Sequence, residues 1–393
     1  MKIVVAMDSF KGSCTAYEAG EAVRAGIERA IPHANVINIP VADGGEGTVS
    51  AMIANGRGKW VCCAVSDPMG RRIEAGYGVM TDGTCIIEMS AASGLLLVPE
   101  DQRDPRIATT YGTGELIKHA LDAGHRRMLI GLGGSATNDG GAGMAQALGV
   151  RFLDDAGKEL PFGGAALANL HKIDISGLDA RLRECSITCA VDVINTLCGP
   201  RGASAVFGPQ KGATPQMVEL LDAALRHYAK RIVLDCGAIV DDLPGSGAAG
   251  GLGAGLSAFC GGMFRSGIDA VLEVVGFDEA VRGAAFVVTG EGRMDGQTLS
   301  GKVPVGVATR TKMRGDIPVF ALCGALGSGA EATYACGIDA AFAIADGPMT
   351  LDESCACVQR LLESAAHALG RTARSFASRF NTLDIEMAPT SGV

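Results

Sequence analysis

Along the first sixty residues, short apolar runs alternate with glycine-bearing loops and amphipathic stretches. Lys2–Met7 (KIVVAM) has the length and continuity of a buried strand, and Asp8–Gly12 is the loop after it. Thr15 with Glu18 forms a capping box, and the stripe Ala19, Ala22, Val23, Gly26, Ile27, Ala30 predicts a helix ending at Ala30. Val36–Pro40 predicts a second strand, Ala42–Thr48 a loop, and Val49–Ala54 another helix. A repeated strand, loop and helix means a parallel sheet with functional loops at the carboxyl ends of its strands. From Lys59 the pattern changes. Lys59–Val65, Ile73–Met80 and Thr84–Met89 read as antiparallel strands separated by the turn signals Asp67-Pro68-Met69-Gly70 and Asp82-Gly83. Glu115–Ala123 reads as a helix stopped by Gly124, Ser186–Val191 as a strand and Pro215–Lys230 as a long helix. Ala284–Thr289, Val319–Cys323 and Ala340–Ala345 return to the opening pattern. The expected class is α/β in two domains. A discontinuous Rossmann- or flavodoxin-like parallel-sheet domain covers 1–60 and 285–385, and a mixed α/β domain is inserted over 61–284. Met387–Val393 reads as a frayed tail.

The stretch Leu129–Leu148 organises the middle of the chain. The apolar run Met128–Leu132 reads as a strand ending at Gly133-Gly134. Ser135, Thr137, Asn138 and Asp139 follow, with Asn138 or Asp139 placed to cap a helix that runs to Leu148 and stops at Gly149. Gly140, Gly141 and Gly143 each cost such a helix roughly 1 kcal/mol relative to Ala. Two readings explain them: an anion held on free N–H groups at the helix start, or tight packing against a neighbouring backbone. The anion reading makes Gly133, Gly134, Ser135, Asn138 and Asp139 candidate contacts to a phosphate or carboxylate.

Composition narrows the classes. The 393 residues exceed one ordinary core, and 48% apolar content indicates folded domains rather than disorder. A net charge of −9 with no basic stretch excludes a nucleic-acid groove. Thirteen cysteines, an odd number without a CxxC pair, read as reduced thiols of a cytoplasmic protein. No signal peptide is apparent ahead of the Lys2–Met7 strand. Pro244–Phe264 is uncharged for 21 residues, but eight are glycine, so a membrane span is not expected.

The polar loops carry the candidate chemistry. Gly290–Lys302 (GEGRMDGQTLSGK) follows a predicted strand and gathers Glu291, Arg293, Asp295 and Lys302. Within it, Gly296–Lys302 matches GxxxxGK, but Val303 replaces the Ser or Thr that a Walker A loop needs for Mg²⁺. Gly245–Gly250 fits GxGxxG but follows Asp241-Asp242 and Pro244 rather than an apolar strand, which argues against a dinucleotide loop. Asp192, Asp8 and Asp43 end strands or follow them closely; several carboxylate loops around one crevice suit Mg²⁺. Lys11 and Lys211 sit among small residues, consistent with reaching a ligand. The six scattered histidines offer no HExxH and no Ser/His/Asp order, so hydrolytic-triad and zinc chemistry lack support.

Six motifs in order, DSFKGS at 8–13, VADGGEGT at 41–48, GLGGSATNDGGAG at 131–143, FGPQKGA at 207–213, GSGAAGGLGAG at 245–255 and GEGRMDGQTLSGKVPVGVA at 290–308, resemble the bacterial glycerate kinases that make 2-phosphoglycerate. The resemblance covers about residues 1–375. It implies two α/β domains with the active site in the cleft between them, and D-glycerate, ATP and Mg²⁺ as ligands. Met7 and Thr196 stand where that family usually has Pro, changes that bear on loop geometry. Phosphoryl transfer needs positioning and charge neutralisation more than covalent chemistry. Asp192 and Asp295 are the expected Mg²⁺ ligands or hydroxyl-orienting groups, and Lys11 and Lys302 the cations for phosphate or the glycerate carboxylate. Asp8, Ser9, Asp43, Lys211, Gly290, Glu291, Gly292 and Arg293 complete the expected binding set, beside the 133–139 loop as a candidate nucleotide or phosphate contact. Which loop takes which ligand is left open, as is assembly as a homodimer. The rival readings are a kinase for another small hydroxy acid, phosphorylation at C3, and a nucleotide-binding regulator without turnover.

Overall fold

The computed structural model describes residues 1–386 apart from Glu46 and Asn55, without the side chains of Ser300 and of residues after 376. The Met387–Val393 tail and Glu46 of the 41–48 motif lie outside the described residues. In chain order the elements begin β1 (Lys2–Met7), α1 (Ala16–Ala30), β2 (Asn35–Asn38), α2 (Thr48–Ile53), β3 (Gly58–Ser66), β4 (Arg72–Met80) and β5 (Cys85–Glu88). Next come α3 (Ser90–Ser93), α4 (Tyr111–Asp122), β6 (Arg127–Gly131), α5 (Ala142–Ala147), β7 (Arg151–Leu153), β8 (Lys172–Asp174), β9 (Ser186–Ala190) and α6 (Ala203–Phe207). The order continues with α7 (Pro215–Cys236), α8 (Ala248–Cys260), β10 (Met263–Arg265), α9 (Gly267–Val274) and α10 (Phe277–Val281). It closes with β11 (Phe286–Gly290), β12 (Arg293–Met294), α11 (Val303–Lys312), β13 (Val319–Cys323), β14 (Ala325–Leu326), β15 (Ala340–Ala343), α12 (Leu351–Ala356) and α13 (Val358–Glu386).

The protein is α/β and separates into two compact units, Met1–Ala42 with Leu272–Val393, and Asp43–Val271. The expected domain limits lie at 60/61 and 284/285. The difference at the first limit has a physical basis: α2 packs on β3 and β4, where Val49 and Ile53 lie against Gly78.

In the first unit the sheet order is β15-β13-β11-β1-β2, all parallel, with β1 registered on β11 from Ile3↔Phe286 to Met7↔Gly290. A parallel sheet buried on both faces requires apolar strands, and Ile3, Val4, Val5, Ala6 and Met7 are all buried. The expected capping box forms: Glu18 accepts from Thr15 N at 2.9 Å and Thr15 Oγ1 from Glu18 N at 3.2 Å. The stripe of α1 packs on α13, close enough at Gly26 that a Cβ would stand 2.2 Å from the Glu363 carbonyl oxygen.

In the second unit the order is β10-β9-β6-β5-β4-β3. The first four strands are parallel and the last two antiparallel, as the turn signals after Lys59 predict. Its core joins Tyr77, Ile87, Leu116, Ile130, Met144, Phe152, Tyr228 and Leu252. Within the uncharged segment Pro244–Phe264, Ala248–Cys260 forms α8, almost wholly buried, and among the described residues no helix is long and apolar enough to cross a membrane.

Candidate functional site

Loops leaving the carboxyl ends of β6 and β9 enclose a cavity of about 250 Å³ in the second unit. Gly133, Gly134 and Ser135 form one side of it, Ala190–Val193 another, and Asp43–Gly45 a third. The third loop approaches so closely that a Cβ on Gly131 would lie 2.3 Å from the Gly44 carbonyl oxygen. The structure thus brings together Asp43, Gly133, Gly134, Ser135 and Asp192, residues far apart in sequence.

Asp192 dominates the electrostatics of this cavity. Its Oδ1 accepts from Gly267 N at 2.9 Å, which fixes the carboxyl group at the end of its strand. Burial raises its pKa from 3.8 to about 6, and the carboxylates of Asp43 and Asp269 push in the same direction. Asp269 had no motif to announce it; it acts on Asp192 because α9 starts beside that loop. The opposite wall is rich in donors. Gly134 has φ +73°, and among the described residues nothing accepts from the N–H groups of Gly133, Gly134 or Ser135. The cavity therefore has an acceptor wall and a donor wall.

Behind the donor wall the expectations need correction. The helix after this loop is α5, six residues starting at Ala142, and neither Asn138 nor Asp139 is its N-cap; Gly141 is, with φ +77°. Asp139 is fully buried and accepts from Thr110 N (2.8 Å), Thr110 Oγ1 (2.9 Å), Gly141 N (3.1 Å) and Gly143 N (3.2 Å). Its pKa is raised by that burial, with the hydrogen bonds opposing. The N–H groups that could have taken an external anion are occupied by the chain's own carboxylate. Asn138 is equally buried, donating to Ser204 Oγ at 2.9 Å. The glycines follow the packing reading. A Cβ on Gly143 would lie 2.1 Å from Thr109 Oγ1, and one on Gly250 1.9 Å from the Thr137 carbonyl oxygen. Lys211, expected to reach outward, is also buried. Its Nζ donates to Ser135 Oγ at 2.7 Å and to the Thr137 carbonyl at 2.6 Å, and burial lowers its pKa to about 7 against the pull of Asp139.

The remaining expected residues lie in the first unit, on loops after β1 and β11. Asp8 Oδ1 accepts from Ser9 N at 2.6 Å, while Lys11 is exposed. Gly290 is dictated by the sheet, since a Cβ there would stand 1.9 Å from the Leu322 carbonyl oxygen. Gly292 lies next to Glu291, which is buried and accepts from Thr298 Oγ1 at 2.7 Å. Lys302 Nζ is 3.7 Å from the other oxygen of Glu291. Burial raises the Glu291 pKa, with Asp295 adding to it and Thr298 and Lys302 opposing. Asp295 caps the turn Gly296–Ser300 through Gln297 N at 2.9 Å, and its Oδ2 lies 3.3 Å from Arg293 Nε. Arg293 is exposed.

Among the described residues no three His, Cys, Asp or Glu side chains gather into a metal-holding group. Mg²⁺ on a nucleotide needs less, one or two carboxylates with phosphate oxygens and water as the other ligands. Glu291 and Asp295, on one loop and close enough for the charge of one to raise the pKa of the other, fit that requirement.

A profile described as the glycerate kinase family matches residues 3–374. The glycerate kinase of Bacillus subtilis strain 168 is 49% identical over 379 residues, covering 96% of this chain and 97% of that protein. The glycerate 2-kinase of Escherichia coli K12 is 48% identical over 355 residues, 90% of this chain and 93% of that one. A crystal structure assigned as glycerate kinase 2 from Salmonella typhimurium LT2 superposes with a TM-score of 0.89 at 47% identity. It covers 96% of this chain and 99% of that chain.

Proposed function

This chain belongs to the glycerate kinase family, and we propose that it transfers the γ-phosphoryl group of ATP to the C2 hydroxyl of D-glycerate, giving 2-phosphoglycerate and ADP. The observation that carries the reading is the second-unit cavity, where a carboxyl group of raised pKa faces a wall of free N–H donors. A base whose pKa lies slightly below the working pH is ionised yet basic enough to take a hydroxyl proton. Asp192 is that base, held in place by Gly267 N. Its Oδ1 is held by Gly267 N, and its other oxygen is assigned to take the proton.

In the first unit, exposed Lys11 and Arg293 and half-buried Lys302 offer cations to the nucleotide phosphates. Glu291 and Asp295 would hold Mg²⁺, which when bound neutralises phosphate charge. Asp295 also caps the Gly296–Ser300 turn and pairs with Arg293. The wider reading, that this is a cytoplasmic enzyme, belongs to the same proposal. The thirteen free thiols support the cytoplasmic part.

Turnover is tested by ADP release coupled to NADH oxidation. D-glycerate with ATP and Mg²⁺ is expected to give sustained turnover, and removing Mg²⁺ with EDTA to abolish it. No glycerate-stimulated ADP release across pH 6–9 would end the kinase reading. Asp295→Asn is expected to raise the Mg²⁺ concentration for half-maximal rate about tenfold, the loss of one charge-assisted ligand. An unchanged Mg²⁺ requirement with a lowered melting temperature would leave Asp295 as a cap only.

A further inference from the structure

We propose that D-glycerate enters the second-unit cavity carboxylate first, its carboxylate resting on the Gly133, Gly134 and Ser135 N–H groups and on the Ser135 hydroxyl, which buried Lys211 orients from behind. Its C2 hydroxyl is thereby turned toward Asp192. This subsite rests on the glycerate kinase reading and adds an orientation to it.

Four observations lead there. First, Ser135 is only 6% exposed, lines the cavity, and accepts at Oγ from Lys211 Nζ at 2.7 Å. Its lone pair is thus engaged by Lys211 Nζ, and its own proton has no acceptor among the described residues. A hydroxyl polarised in this way is a strong donor to an oxyanion. Second, the adjoining backbone supplies three N–H groups without acceptors among the described residues, with a left-handed Gly134 in the middle, the curvature of an anion nest. Third, Lys211 is deeply buried, and the nearest buried carboxylate, Asp139, already takes four hydrogen bonds from Thr110, Gly141 and Gly143. Burial disfavours the charged form of Lys211, and an anion in the cavity would favour it again through Ser135. Lys211 is therefore a positioning residue.

Fourth, size and polarity select the ligand. About 250 Å³ falls below the ~300–1,000 Å³ of pockets that take drug-sized molecules, and suits a small organic acid better than a whole nucleotide. A cavity with donors on one side and the carboxylates of Asp192 and Asp43 on the other two complements a molecule that is an anion at one end and a hydroxyl donor at the other. A triphosphate, anionic throughout, would meet the Asp43 and Asp192 carboxylates with like charge.

The test measures KM for D-glycerate, KM for ATP and kcat on the full chain and on Ser135→Ala and Lys211→Met. The melting-temperature rise caused by D-glycerate alone, without nucleotide, is measured beside them. Ser135→Ala is expected to raise KM for glycerate about tenfold or more, leave KM for ATP within about twofold, and remove most of the glycerate-induced rise. Lys211→Met is expected to move the same quantities further. If Lys211→Met does not fold, Ser135→Ala decides alone, because it removes one oxygen and no buried charge. A raised KM for ATP with an unchanged KM for glycerate would assign the oxyanion to a phosphate and overturn the subsite. Unchanged constants for both ligands would overturn it as well. Failure of the kinase reading looks different: the unmodified chain itself would show neither turnover nor a melting shift with glycerate.

Discussion

Asp192→Asn is expected to lower kcat by about 10²- to 10⁴-fold, the range a positioned general base contributes, while raising the melting temperature. The two effects have opposite signs for one reason. In the folded protein burial and the carboxylates of Asp43 and Asp269 raise the Asp192 pKa from 3.8 to about 6. The native state therefore binds the proton more tightly than the unfolded chain, and ionisation above pH 6 costs native stability. Asn keeps an oxygen for Gly267 N and carries no charge, so that cost disappears. The gain is on the order of 1 kcal/mol or less at pH 7, because Asp192 is exposed enough for solvent to screen its charge and discount the full pKa difference. It is present in full above pH 6, shrinks as pH falls from 6, and vanishes below about 4. The unmodified enzyme shows the matching profile in rate: kcat/KM falls on the acid side through about pH 6, where the base becomes protonated. Thermal unfolding and steady-state rates between pH 5 and 8 check both. A lower melting temperature with near-normal kcat would make Asp192 a structural carboxylate, and suspicion would pass to Asp43.

Gly250→Ala is expected to be among the most damaging single-methyl changes in the chain, through folding and not through ligand contact. Gly250 has φ +67°, its carbonyl accepts from Gly140 N at 3.0 Å, and a Cβ there would lie 1.9 Å from the Thr137 carbonyl oxygen. The left-handed backbone costs a non-glycine residue about 1–2 kcal/mol, and forcing two backbones apart adds about 1–3 kcal/mol. The sum corresponds to a melting-temperature loss of roughly 10 °C for a unit of this size. Gly157→Ala is the control. It has φ +76° but nothing within 4 Å of the added carbon, so only the smaller backbone cost applies. A Gly250→Ala protein that melts normally but binds a ligand poorly would restore the reading in which these glycines make room for a ligand.

The longer strands of the two main sheets, and the capping box of α1, were legible because apolar runs and local capping depend on neighbours in sequence. Val319–Cys323 is an example, expected and found over the same five residues. The two- and three-residue strands β7, β8, β10, β12 and β14 are too short to carry a pattern and were not expected. The apolar stripe Val358, Leu361, Leu362, Ala365, Ala366, Leu369 marks α13 just as plainly and could have been found by its period. The site was legible in residue type but not in arrangement. Asp139 looked like a cap beside an open anion site because its partner Thr110 lies 29 positions away. The burial of Lys211 was not legible because the hydroxyl it serves is 76 positions away. No local pattern encodes either pairing; the sheet order creates both. The small residues around Lys211, read as access for a ligand, are what let the chain close over it.

Product position tests the account most directly. D-glycerate, ATP and Mg²⁺ are incubated with the enzyme and the product passed to enolase with phosphoglycerate mutase left out, following phosphoenolpyruvate by its ultraviolet absorbance. Phosphorylation at C2, with the C2 hydroxyl turned toward Asp192, predicts immediate formation of phosphoenolpyruvate. A signal that appears only when the mutase is added would mean 3-phosphoglycerate, and would contradict both the assigned reaction and the orientation of glycerate in the cavity.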